Sequence, residues 1–189
     1  MTTILVLALL GALAWVALVF NGLVRLRNRA QGSWADIDVQ LKRRHDLVEN
    51  LVETVKGYAA HERETLDRVV RVRAQAEGAR SGGRPGEAGE AENRLTGGVR
   101  TLFALAEAYP DLKASDRFLD LQRSLSELED DLQNARRYYN AVVRDLNTRI
   151  QSFPHLLVAR PLGFRERDFF ALDDSSEAKA PEVRMGVPS

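Results

Sequence analysis

"DRFLDLQRSLSELEDDLQNARRYYNAVVRDLNTRIQS" occupies residues 116–152 and decides the fold. Phe118, Leu121, Leu125, Leu128, Leu132, Ala135, Tyr139, Val142 and Leu146 recur at alternating steps of three and four. That is the spacing of one helix face repeated over heptads, as in a coiled-coil seam. At about 1.5 Å per residue the helix is roughly 55 Å long. A single helix of that length leaves its apolar stripe in water, so other helices must lie alongside it. Ser115 or Asp116 is the expected cap at its start, and Phe153-Pro154 stops it.

Two further stretches supply the partners. Between Ser33 and Pro85 there is no proline. Ser33 followed by Asp36 looks like a capping box. From there Trp34, Ile37, Leu41, Arg44, Val48, Leu51, Val55 and Tyr58 hold the same steps, with Arg44 as the polar exception on the seam. Leu47 and Val52 widen the stripe, which suggests neighbours on two sides. The pattern weakens through Leu66, Val69, Val70 and Val72, with no turn expected over 46–66. Residues 77–93, "EGARSGGRPGEAGEAEN", read as a flexible connector. Leu95, Val99, Leu102, Ala106 and Tyr109 then mark another helix, ended by Pro110.

Residues 4–20, "ILVLALLGALAWVALVF", carry no charge. Extended to Val24 they give about 21 residues and roughly 30 Å, one hydrocarbon thickness. A cleaved signal peptide competes, since Ala12-Leu13-Ala14 resembles a cleavage box. But "MTT" has no positive side chain and the apolar run continues past the box, which favours an uncleaved anchor. Arg25, Arg27 and Arg29 follow, and no acid appears before Asp36. Positive flanks stay in the cytoplasm, so the N-terminus is expected outside and the bulk of the chain inside, with the three arginines at the lipid headgroups.

The reading is an all-α, single-pass protein. Residues 1–24 form a transmembrane anchor and 25–33 a basic juxtamembrane segment. Residues 34–170 form an antiparallel bundle of three long helices, with "LGFRERDFF" (162–170) packing back on it, in one form as a fourth short helix. Residues 171–189 form a mobile polar tail.

The chain has no cysteine, which excludes disulfides and thiolate chemistry. Twenty-seven basic residues balance 27 acidic ones, so no global field favours nucleic acid. "LKRRH" (41–45) is flanked by Asp36, Asp38, Asp46 and Glu49 and reads as a mixed-charge face. A di-iron bundle site needs Glu-x-x-His on two helices, and the chain has none. His45 and His61 lie about 24 Å apart along one helix, and His45 with Glu49 supplies only two ligands. No Gly-x-Ser-x-Gly turn, phosphate loop or dinucleotide fingerprint is present. The expectation is a non-enzyme without metal or cofactor, and its serines and histidines are surface, cap or boundary residues. In "ARRYYN" (135–140), Tyr139 lies on the seam with Tyr138 beside it, and Asn140 and Asn147 lie on adjoining faces. They read as register devices within the bundle or as the lining of a small-ligand pocket.

The chain resembles the LemA family over nearly its whole length. The likeness rests on "WADIDVQLKRRHDLV", "NLVETVKGYAAHE", "AEAYPDLKAS" followed by "FLDLQ", "RRYYNAVVRDLN", "FPHLLVA", and "GF" followed by "FF". The resemblance implies a bacterial protein with one membrane helix and an all-α domain, and no established enzymatic activity. It carries the family's recurrent polar and aromatic positions onto Asp46, Asn50, Tyr58, His61, Glu62, Tyr109, Pro110, Arg137, Tyr139, Asn140, Phe153 and Pro154. Two departures stand out. Glu49 replaces a usual proline, so the first helix can run through and a bend there is left open, and Leu146 stands where an aromatic is common. Two functions follow as expectations. One is a scaffold or adaptor for a membrane-associated protein, with homo-oligomerisation left open. The other is a ligand or ion sensor with a pocket near His61, Glu62 and Tyr139.

Overall fold

The computed structural model describes residues 1–171, and among them every regular element is helical. The tail expected at 171–189 lies, Ala171 apart, outside the described residues. Helix α1 (Thr2–Tyr58) is unbroken, about 85 Å long at its helical rise. Residues 2–18 of it stand exposed, and the N-terminal part of the helix holds a stretch long and apolar enough to cross a membrane. The capping box expected at Ser33 does not form, because the helix is already running. Ser33 Oγ instead bonds back to the Ala30 carbonyl at 3.2 Å. The ladder also runs through Glu49, which settles the point left open there; a proline at that position would have interrupted it.

The turn-free reading of 46–66 is corrected. The chain breaks at 59–62 and α2 (Arg63–Ser81) folds back along α1. Arg73 pairs with Glu49 at 3.1 Å and Arg80 with Asp38 at 2.7 Å, so the two helices run antiparallel. Folding back lets Leu66, Val69 and Ala76 share a core with Val48, Leu51, Val52 and Val55. A straight helix would leave them in water.

The connector expected at 77–93 shrinks to a turn at 82–84, where Gly83 takes φ +68°. Pro85 opens α3 (Pro85–Ala106) as a first-turn proline. Its small residues serve close approach. Ala88 and Ala91 are buried, and a Cβ on Gly89 would run into the Ala171 carbonyl oxygen. A short α4 (Pro110–Lys113) leads to α5 (Asp116–Gln151), whose cap Ser115 accepts a hydrogen bond from the Phe118 amide at 3.3 Å.

Helix α5 lies antiparallel to α1. Trp34 meets Tyr139, with ring centroids 5.6 Å apart, and Arg44 meets Glu129 at 3.2 Å: ten residues on along one helix, ten back along the other. Phe118, Leu121, Leu125, Leu128, Leu132, Tyr139, Val142 and Leu146 are all buried, as their heptad spacing required. After α6 (Leu156–Ala159) the segment 162–170 is not helical, contrary to the helical form considered for it. It lies along α5 as a strap. Asn147 exchanges two hydrogen bonds with the Arg167 backbone at 2.9 Å, and Asn140 does the same with Phe170 at 3.0 Å. Seven residues of helix advance about 10.5 Å and three of extended chain about 10 Å, so heptad-spaced amides match a strap read every third residue. Tyr139 Oη adds a bond to the Asp168 carbonyl at 2.9 Å.

Candidate functional site

The core is divided into two apolar clusters. One gathers Ile37, Leu41, Ala88, Leu132 and residues nearer the anchor. The other gathers Val48, Leu51, Leu95, Leu125 and residues toward the far end. Between them, at one level on three helices, lies a charged layer. Arg44, its side chain 4% exposed, donates to Glu92 Oε2 at 2.8 Å and to Thr96 Oγ1 at 2.8 Å, and it pairs with Glu129 at 3.2 Å. His45 Nε2 meets the other Glu92 oxygen at 2.7 Å. Adjacent residues of α1 thus hold both oxygens of one buried carboxylate. Facing a carboxylate, Nε2 is the protonated nitrogen in this geometry. Nδ1 is buried without a hydrogen-bond partner.

Above Arg44 helices α3 and α5 part, leaving a cleft of about 460 Å³. Its α3 wall presents Asn93, Thr96, Arg100 and Phe103, and its α5 wall Gln122, Ser126, Glu129, Gln133 and Arg136. Both walls step by three and four, so each is a continuous stripe beside the buried seam. The cleft is open along its length, about 15 Å on α3 and 21 Å on α5 from those residue spacings. Arginine, carboxylate, amide and one aromatic ring line it, a mixture suited to holding another polypeptide or a polar molecule. Among the described residues no three His, Cys, Asp or Glu side chains converge as metal ligands would.

The residues singled out from sequence fall elsewhere, in separate places. Asp46 is exposed and pairs with Lys42 at 3.2 Å, and Asn50 is exposed on the same helix. Tyr58 and His61 are exposed at the α1–α2 turn, where Glu62 accepts a long hydrogen bond from Tyr109 Oη at 3.4 Å. That contact ties the two turns at the bundle end farthest from the anchor. Arg137 is exposed on α5. Tyr139 and Asn140 hold the strap, as the register reading implied. Burial pushes the Tyr139 phenol up to about 12, with Arg167 opposing and Asp168 adding to the rise. The single pocket drawn near His61, Glu62 and Tyr139 does not form. Tyr139 sits beside Trp34, which is about 36 Å along α1 from Tyr58, where the turn that carries His61 and Glu62 begins.

His45, expected at a surface or boundary, is instead 1% exposed and part of the charged layer. Sequence reading also passed over Glu92, Thr96 and Glu129. The available signal was Arg44 itself: an arginine on an apolar seam requires a buried acid.

Residues 33–185 match the model of the LemA family. The chain is 25% identical to the magnetosome protein MamQ of Magnetospirillum gryphiswaldense, over 90% of this chain and 71% of that protein. It is 29% identical to Protein LemA of Metamycoplasma hominis, over 75% of this chain and 64% of the relative.

Proposed function

The chain belongs to the LemA family, and from that premise we propose that it is a membrane-anchored, non-catalytic scaffold that holds a membrane-associated protein in the α3–α5 cleft. The observation that carries this reading is the cleft itself, with its two heptad-spaced polar walls over a fixed ionic floor. A wall of that kind accepts a third stripe, supplied by a partner's helix or extended segment. Placement in the bacterial inner membrane, N-terminus out and bundle in the cytoplasm, is supported by Arg25, Arg27 and Arg29 beside the apolar stretch.

Photocrosslinking in native membranes tests the reading. A benzophenone amino acid at Gln122 or Ser126 should trap a defined protein, and one at Val39, exposed on α1, should not. Arg100→Glu should remove the adduct. Identical products from all three positions, insensitive to Arg100→Glu, would refute the scaffold. The sensor reading lacks comparable support, because its residues lie at different levels of the bundle.

A further inference from the structure

The base of the bundle carries exposed apolar side chains where a water-soluble domain would place polar ones. Phe153 is 77% exposed, Leu157 58% and Leu162 51%. All three lie in the segment that turns from α5 through α6 into the strap. Their neighbours fix how deep that segment sits. Val158 and Ala159 are buried in one cluster with Val19 and Leu23 of α1. Phe164 stacks edge-on against Phe20, centroids 5.7 Å apart, and Arg27 lies 5.5 Å over the same ring. The segment is therefore level with the last turns of the apolar stretch of α1, not beyond it.

Charge at this end is predominantly positive, although Glu166 lies beside Arg27, Phe164 and Arg165. Residues 1–35 and 146–165 contain no acid, and they supply Arg25, Arg27, Arg29, Arg149, Arg160 and Arg165. An apolar tip ringed by arginines is what the boundary between headgroups and acyl chains accommodates.

We propose that residues 153–162 form a second membrane contact: an amphipathic foot that embeds Phe153, Leu157 and Leu162 in the interface of an anionic bilayer beside the anchor. The foot rests on the reading of residues 4–20 as membrane-embedded, and it adds that the bundle is seated on the bilayer, not tethered above it. Two contacts on one rigid body hold α5 upright and present the cleft at a fixed height.

The absence of cysteine allows single labels in the full chain. Nitroxides at Phe153→Cys, Leu157→Cys and Leu162→Cys, in nanodiscs containing phosphatidylglycerol, report contact with lipid-soluble oxygen against a water-soluble nickel chelate. Leu9→Cys marks the bilayer interior, and Val39→Cys marks water. The three foot labels should favour oxygen several-fold over Val39. Arg160→Glu with Arg165→Glu should reduce that ratio at residue 157, as should replacing the anionic lipid with phosphatidylcholine. Foot labels that match Val39 while Leu9 stays lipid-embedded would overturn the foot alone. A water-exposed Leu9 would overturn the anchor and the foot together. Three sites guard against local misfolding at one, and an unchanged helical circular dichroism spectrum qualifies each variant.

Discussion

Glu92→Ala is the sharpest test of the charged layer. The carboxylate is fully buried and accepts from Arg44 at 2.8 Å and His45 at 2.7 Å. Removing it leaves a guanidinium inside the bundle with Thr96 and a half-exposed Glu129 as partners. Breaking a buried pair from one side costs about 3–5 kcal/mol. Glu129 still screens part of that charge, which places the loss near the lower end, about 3 kcal/mol. With a urea m-value of about 2 kcal/mol/M, the midpoint should fall by about 1.5 M. The full chain in micelles, followed by circular dichroism in urea, measures this without added salt. The companion is Arg44→Met with Glu92→Met, which removes both charges and keeps the volume. It should stay within about 1–2 kcal/mol of the parent, since apolar replacement of a buried pair is often neutral: His45 loses its buried partner, while Thr96 keeps its bond to the Glu92 carbonyl and Glu129 is half in water. A midpoint shift under about 0.5 M for Glu92→Ala, or a double variant as unstable as the sum of the singles, would refute the view that these charges depend on each other.

Asn147→Leu should release the strap locally: the Arg167 amide loses its acceptor, and its hydrogen exchange should accelerate at least about tenfold with little change in global unfolding. Tyr139 should destabilise the fold in alkali. Its phenol is raised from 10.0 to about 12 in the bundle, so the unfolded chain ionises first. The contribution is intact below pH 10 and falls by about 1.4 kcal/mol per unit between pH 10 and 12. Stability measured against pH should be flatter over that window in Tyr139→Phe. Leu132→Asp should unfold the bundle on thermal scans, because position 132 is fully buried within an apolar cluster. Glu129→Ala should cost about 1 kcal/mol or less by urea titration, since its carboxylate is half in water and shares Arg44 with Glu92.

The seams were legible because period alone fixes which face of a helix is buried. Leu125, Leu128, Leu132 and Leu146 could be assigned without knowing what covers them. What covers them was less legible. The break at 59–62 has no proline, and a heptad continues on paper across a turn that tertiary packing imposes. The glycines of 77–93 carried the opposite error. Flexibility was inferred from composition, yet Ala88 and Ala91 are buried in the core and Gly89 has the Ala171 backbone passing close to it. That misreading hid Glu92, and with it the reason Arg44 and His45 are buried. The cleft was invisible for a related cause: its walls lie on helices whose separation no single-helix pattern encodes.

The charged layer solves a problem that the seams create. A heptad seam is nearly indifferent to a slide of seven residues, since Leu41 would then face Leu125 in place of Leu132, or Val48 would face Leu132 in place of Leu125. Apolar burial alone therefore leaves α5 and α3 free to settle one heptad too high or too low on α1. Arg44 and Glu92 remove that freedom. A slide of seven residues, about 10.5 Å, carries each away from its partner and leaves two buried charges unpaired. The penalty falls on the wrong registers more heavily than any gain falls on the right one, which is how a polar group specifies structure. The strap adds an independent check at Trp34, Tyr139 and Phe170, whose rings pack in one place only. Because the same guanidinium that sets the register is also the floor of the cleft, the spacing of α3 and α5 that any occupant meets is fixed before it binds. Under the scaffold proposal, a partner's segment would therefore meet a site already assembled.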